Sequence, residues 1–166
     1  MGCLQLEKGQ HGMAQSLDRI DRAILRILQS DGRLLNTELA DRVGLSPSPC
    51  LRRVKSLEES GVIDRYVALV DPAKVGMGFS VFARVWLSGQ DEETVDGFVE
   101  AVQKLPQIVE CQLMAGDCDF ILRVIAPDLE GYRKFQTEHL GRIRNVRNIK
   151  TEIPMQKIKL TTEIPI

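Results

Sequence analysis

From Leu17 onward the apolar residues recur at helical spacing. Ile20, Ile24, Ile27 and Leu28 share one stripe, with Ser16 as the expected N-cap and Asp31-Gly32 as the stop. A short second helix follows, with Asn36 as its expected cap, Glu38 in its first turn, and Leu39 and Val43 on one face. Gly44 suits a left-handed C-terminal position. The run Ser46-Pro47-Ser48-Pro49 opens a third helix, because proline in the first turn gives up an N–H that has no helical partner anyway. Leu51, Val54 and Leu57 are its expected inner stripe, and Gly61 stops it. Residues 62–70 read as a strand, Asp71-Pro72 as a turn, and 73–78 as a join.

Beyond the join the period changes from helical to alternating. Residues 79–87 predict a strand with Val81, Ala83, Val85 and Leu87 on one face. A helix starts at Asp91 and carries Val95, Phe98, Val99 and Val102 inward until Pro106. Strands are expected at 108–114 and 120–125, with the turn Gly116-Asp117-Cys118-Asp119 between them. Pro127-Asp128 begins a second helix through Tyr132, Phe135 and Leu140, and 145–155 returns as a strand before 157–166 trails off extended. The order is β-α-β-β-α-β, that of ferredoxin-like folds. The expected class is therefore α+β, and the division runs as follows. Residues 1–15 are a flexible N-terminal arm, and 16–65 a helix-turn-helix domain with its motif at 36–55. Residues 66–78 are strand and linker, and 79–166 the second domain.

Composition changes this picture little. Net charge is −1, so no global basic excess announces a polyanion, and residues 17–65 hold nine Lys/Arg against eight Asp/Glu. Between Ser46 and Ser56, however, Arg52, Arg53 and Lys55 stand without any acid. No apolar run is long enough to span a bilayer, which takes roughly 20 residues. The start carries no secretory or myristoylation pattern, so a cytoplasmic protein without membrane contact is expected. Cys3, Cys50, Cys111 and Cys118 form no CxxC pair and the only histidines are His11 and His139, so neither a metal nor a disulfide framework is expected. Cys50 and Cys111 read as small buried thiols.

The third helix carries the chemistry. With Leu51, Val54 and Leu57 inward, Ser48, Arg52, Arg53 and Lys55 are expected on its outer side. Such a rod fits a major groove, where arginine can donate two hydrogen bonds to guanine and lysine neutralises phosphate. Ser46, Ser48 and Pro49 at its start would leave backbone N–H groups for a phosphate. In the second half the turn of Gly116, Asp117, Cys118 and Asp119 is the candidate ligand site. Its N–H groups can hold an anion, and its acids can accept from an ammonium group. A plain β-hairpin remains the competing reading of the same residues. The first strand carries large groups on both faces, Phe82 and Trp86 opposite Val81 and Val85. A second copy packing sheet to sheet is therefore expected, presenting two reader helices about 34 Å apart. Tyr132-Arg133-Lys134 reads as helix surface, and no catalytic constellation or cofactor site stands out.

Three sequence blocks resemble a known family. They are Leu17-Asp18-Arg19-Ile20-Asp21, Asn36-Thr37-Glu38-Leu39-Ala40, and Val43-Gly44-Leu45-Ser46-Pro47-Ser48-Pro49-Cys50-Leu51-Arg52-Arg53-Val54, followed by Gly61-Val62-Ile63 and the turn at 116–119. They are similar to the leucine-responsive/asparagine-operon (Lrp/AsnC) transcription regulators. The resemblance implies a winged helix-turn-helix followed by an ACT-like "regulation of amino acid metabolism" (RAM) domain. It further implies double-stranded DNA as a partner, dimers that assemble into octamers, and an amino-acid effector held between dimers. The effector would lie near the turn and near a neighbour's Glu152, Ile153 and Pro154. The family often has an aromatic residue where Cys118 stands, which alters the pocket. Two other readings share this arrangement: an architectural DNA-wrapping protein that senses nothing, and a sirohaem-decarboxylase-like enzyme. The second would need haem-contacting histidines, and His139 alone is on offer.

Overall fold

A computed structural model of the chain describes residues 16–166; the arm expected at 1–15 lies outside the described residues. The chain divides into two compact units. The first runs up to Ala68 and also includes Leu160–Ile166; the second is Leu69–Lys159.

In the first unit, α1 (Arg19–Ser30), α2 (Asn36–Val43) and α3 (Pro47–Glu59) enclose a core of Ile24, Leu25, Leu39, Ala40, Cys50 and Leu57. Asp18, not Ser16, caps α1. Its carboxylate accepts from the N–H groups of Ile20 and Asp21, both at 2.8 Å, and Asp21 returns a bond to the Asp18 N–H. This reciprocal box satisfies more orphan donors than a serine two residues upstream could. Asn36 does not cap α2 either, since it lies inside the helix behind Leu35. Instead its amide nitrogen donates to the Pro47 carbonyl at 2.9 Å, tying the start of α2 to the start of α3. The turn between them closes on Gly44, left-handed at φ 71°, whose N–H bonds back to Ala40 and Asp41. Such a φ costs a residue with a Cβ about 1–2 kcal/mol.

Residues 62–70 form no strand, contrary to the sequence reading. Val62, Val67, Leu69 and Val70 are exposed, and no other described segment supplies a ladder for them. A strand exists only where a second one accepts its hydrogen bonds. The last residues group with the first unit rather than trailing from the sheet. The Arg26 Nε–H donates to the Ile166 carbonyl at 2.7 Å, and the Gln29 amide pairs both ways with Ile164.

The second unit contains β1 (Phe79–Leu87), α4 (Glu92–Gln103), β2 (Ile108–Leu113), β3 (Phe120–Ala126), α5 (Leu129–Glu138) and β4 (Val146–Glu152). The strands form one antiparallel sheet in the order β2-β3-β1-β4, the expected split β-α-β arrangement. One face is covered. Val81, Ala83, Val85 and Leu87 of β1 meet Phe120, Leu122 and Val124 of β3 under Phe98 and Phe135. The Phe98 and Phe120 rings lie 4.6 Å apart. Tyr132 is buried rather than on the helix surface, with its hydroxyl 2.6 Å from that of Thr151. Cys111 is exposed on the edge strand β2, while Cys118 is buried.

Candidate functional site

The inner edge of α3 differs from the expected stripe by one residue. Cys50, Val54 and Leu57 face the core, whereas Leu51 is 44% exposed. The outer face is then Ser48, Leu51, Arg52, Lys55, Ser56 and Glu59, which line a shallow open depression. Neither Arg52 nor Lys55 makes an ion pair with any described residue, and both are exposed. One apolar side chain among polar groups suits a surface that meets base edges, because a thymine methyl takes apolar contact while arginine takes guanine.

Arg53 corrects the sequence reading. Its Nη1 sits 2.7 Å from Asp18 Oδ2 and 2.7 Å from Asp21 Oδ1, so it faces α1 rather than outward. A helix turns about 100° per residue, which separates two neighbouring arginines by more than a quarter turn. The Asp18 carboxyl is held below its ordinary range first by the Asp21 N–H and further by the Arg53 guanidinium. The start of α3 is also poorer in donors than expected. Ser46 makes no side-chain cap, and of the first three helical positions only Ser48 carries an N–H, since Pro47 and Pro49 have none. The Cys50 N–H is already bonded to the Ser46 carbonyl.

The turn at 116–119 is built into the sheet. Asp119 accepts from the Leu87 N–H at 2.7 Å and the Gln90 amide at 2.9 Å, so both carboxylate oxygens already have donors within the chain. The Trp86 indole N–H donates to the Asp117 carbonyl at 2.6 Å. Cys118 points inward at 5% exposure. Asp117 keeps a carboxylate side chain that is 81% exposed, 3.8 Å from Arg84 Nη1. The Arg84 Nε lies 3.2 Å from Glu152 Oε1, yet it is buried and aligned with no acceptor. Arg84 thus brings the turn and the end of β4 together on the uncovered face of the sheet, with Ile153 and Pro154 exposed beyond Glu152. The sequence reading missed Arg84 and Gln90, and named Trp86 only as a large group on the face expected to meet a second copy. Alternation along β1 puts Arg84 and Trp86 on the uncovered face, but their partners lie more than thirty residues away. Among the described residues no three His, Cys, Asp or Glu side chains come together to hold a metal, and no helix is long and apolar enough to cross a membrane.

Comparison with known proteins agrees with both halves. Residues 17–64 match a winged helix-turn-helix DNA-binding model, and 80–164 match the Lrp/AsnC ligand binding domain. The chain is 43% identical over 152 residues to the leucine-responsive regulatory protein of Escherichia coli, covering 92% of this chain and 93% of that one. Among solved structures it is similar to an AsnC family regulator of Agrobacterium tumefaciens. The identity is 43% and the TM-score 0.85, over 90% of this chain and 97% of the other. A transcriptional regulator of Neisseria meningitidis in complex with L-Met is 36% identical, with a TM-score of 0.87 over the same shares. The family and these relatives are transcription regulators rather than enzymes. The chain belongs to the Lrp/AsnC family: it is a DNA-binding transcription regulator with a ligand-binding domain.

Proposed function

We propose that the chain reads specific operator DNA through α3 and regulates amino-acid metabolism in the cytoplasm in response to a small effector, an amino acid. The observation that carries the reading is the outer face of α3, where Arg52 and Lys55 pair with no carboxylate of the described residues. Ser46, Ser48, Pro49, Arg52 and Lys55 contact the duplex, Arg52 at base edges and Lys55 at phosphate. Arg53, assigned to the same surface from sequence, acts instead by holding α3 against α1. For the effector, the uncovered Asp117 carboxylate and Glu152 suit an α-ammonium group. Arg84, with a buried Nε–H lacking an acceptor, suits the α-carboxylate. Gly116, Ile153 and Pro154 complete the surface, while Cys118 and Asp119 support it from beneath. That a relative binds L-Met supports an amino acid as the ligand class.

The working form is a homo-oligomer, a dimer formed through the uncovered sheet face and assembled further into an octamer, with the effector between dimers. Phe82 at 38% exposure and the half-buried Trp86, Ile121 and Ile125 on that face support it. Selection of bound fragments from host DNA supplies the operator. Arg52→Ala is then expected to lose about 1–3 kcal/mol of operator affinity and to relax preference at one base pair. Unchanged affinity in both Arg52→Ala and Lys55→Ala would overturn the assignment. Calorimetric silence against all amino acids would reduce the chain to a ligand-independent DNA-wrapping protein.

A further inference from the structure

The charges of the second unit are strongly segregated along the chain. From 69 to 138, six Lys/Arg stand against twelve Asp/Glu; from 139 to 159, six stand against one. Four of these cations, Arg142, Arg144, Arg147 and Lys150, fall within nine residues and are all exposed. Arg142 ends the short 3-10 turn Leu140–Arg142, Arg144 lies in the connection to β4, and Arg147 and Lys150 lie on β4, an edge strand. Among the described residues Arg142, Arg144 and Arg147 meet no carboxylate, and Lys150 is 3.7 Å from Glu152.

The backbone that carries them is held fast. Asn145 is left-handed at φ 68°, the only described non-glycine residue with positive φ. Its carbonyl accepts from the Ser88 N–H at 2.8 Å, its amide reaches the Thr94 hydroxyl at 3.4 Å, and the Val146 N–H bonds to Ile143 at 3.3 Å. Cations on a fixed backbone lose less freedom on binding a polyanion than cations on a loose tail. An edge strand needs only a lysine or two to resist pairing with another edge; three unpaired arginines exceed that need. The reader unit, by contrast, interleaves its cations with acids instead of clustering them, nine Lys/Arg against eight Asp/Glu over residues 17–65. It is nearly neutral, and Arg53 is committed to two aspartates.

We infer that Arg142, Arg144 and Arg147 form a second, sequence-blind DNA surface that grips the phosphate backbone of a duplex. The inference rests on the α3 reading of the proposed function. The acidic remainder of the unit turns the duplex away elsewhere, so a single basic edge is presented to it.

The test uses the full chain and a random-sequence duplex several helical turns long, with affinity measured across a salt series. The triple substitution Arg142→Gln, Arg144→Gln and Arg147→Gln should make the slope of log affinity against log salt shallower by about two to three. The same three positions changed to lysine should restore it, since phosphate neutralisation needs charge rather than a fork. An unchanged slope in the glutamine variant overturns the inference. If Arg52→Ala and Lys55→Ala lower affinity in that case, the α3 reading stands without it; if they too change nothing, both fail. A fall in molar mass of the glutamine variant by light scattering, restored by lysine, would assign the cations to contact between copies and equally overturn the inference.

Discussion

The outer face of α3 and the turn at 116–119 look alike as sequence, each a short polar run beside an apolar stripe, yet they differ in how much of their hydrogen-bonding capacity is spent. On α3 the polar groups Arg52 and Lys55 have no partner among the described residues. At the turn, Asp119 accepts from Leu87 and Gln90, Trp86 donates to Asp117, and Cys118 is turned inward. A polar residue is available to an outside partner only when the fold has not already claimed it. The groups of the turn still open to an outside partner are therefore fewer than its four residues suggest: the exposed Asp117 carboxylate, held only by a loose 3.8 Å pairing with Arg84.

This contrast can be tested from its foundations outward. The largest expected effect is at Phe120, which begins β3 directly after the turn and packs against the Phe98 ring. Phe120→Ala should destabilise the sheet unit by about 3–5 kcal/mol, seen as a lowered midpoint of denaturant unfolding. The single tryptophan, Trp86, is tied to the turn and reports the loss by fluorescence. Next, Asp119→Ala strands the Leu87 N–H and should cost about 1–3 kcal/mol in the same assay. Asp117→Ala should stay within about 0.5 kcal/mol, because its side chain is exposed. Equal costs at the two positions would erase the distinction between spent and free acids.

A smaller effect separates the adjacent arginines. Arg53→Ala should lower the melting temperature followed by helical circular dichroism, while Arg52→Ala leaves it unchanged and acts on DNA affinity alone. The smallest effects are those of pH. The Asp18 carboxyl is depressed in the folded state, first by the Asp21 N–H and also by Arg53. Its stabilisation is therefore present above the unfolded value of about 3.9 and lost as pH falls below it. Asp18→Asn should flatten the melting profile in that acidic window. Tyr66 has the opposite sign. Burial, and then its bond to Glu58, push its hydroxyl up to about 12. Its contribution is full below the unfolded value of about 10 and is lost as pH rises through about 12. Absorbance titration should move part of the way down in Glu58→Gln, because the burial remains.

The elements were legible wherever a period or a cap within a few residues decides the structure. The order of β1, α4, β2, β3, α5 and β4 follows from alternation giving way to three- and four-residue spacing, and Gly44 and Asp91 marked their boundaries. What was not legible depends on partners remote in the chain. Residues 62–70 are rich in valine and other strand-favouring side chains but have no ladder. Leu51 was expected inside, yet it is exposed beside the buried Cys50, because a helical stripe can be phased one residue either way. Arg53 was read as free because Asp18 and Asp21 lie more than thirty residues upstream. The same limit hid Arg84, whose two acidic neighbours come from the turn and from β4.

Asp18 serves two masters with two oxygens: Oδ1 stops the fraying of α1, and Oδ2 grips Arg53 of α3. Any change at this residue that liberates the arginine also loosens the first turn of another helix. A variant seeking a stronger grip on nucleic acid by unmasking Arg53 would therefore blunt the scaffold that aims it. Gain of affinity along that route is self-limiting, and added charge is better placed on positions that support nothing else.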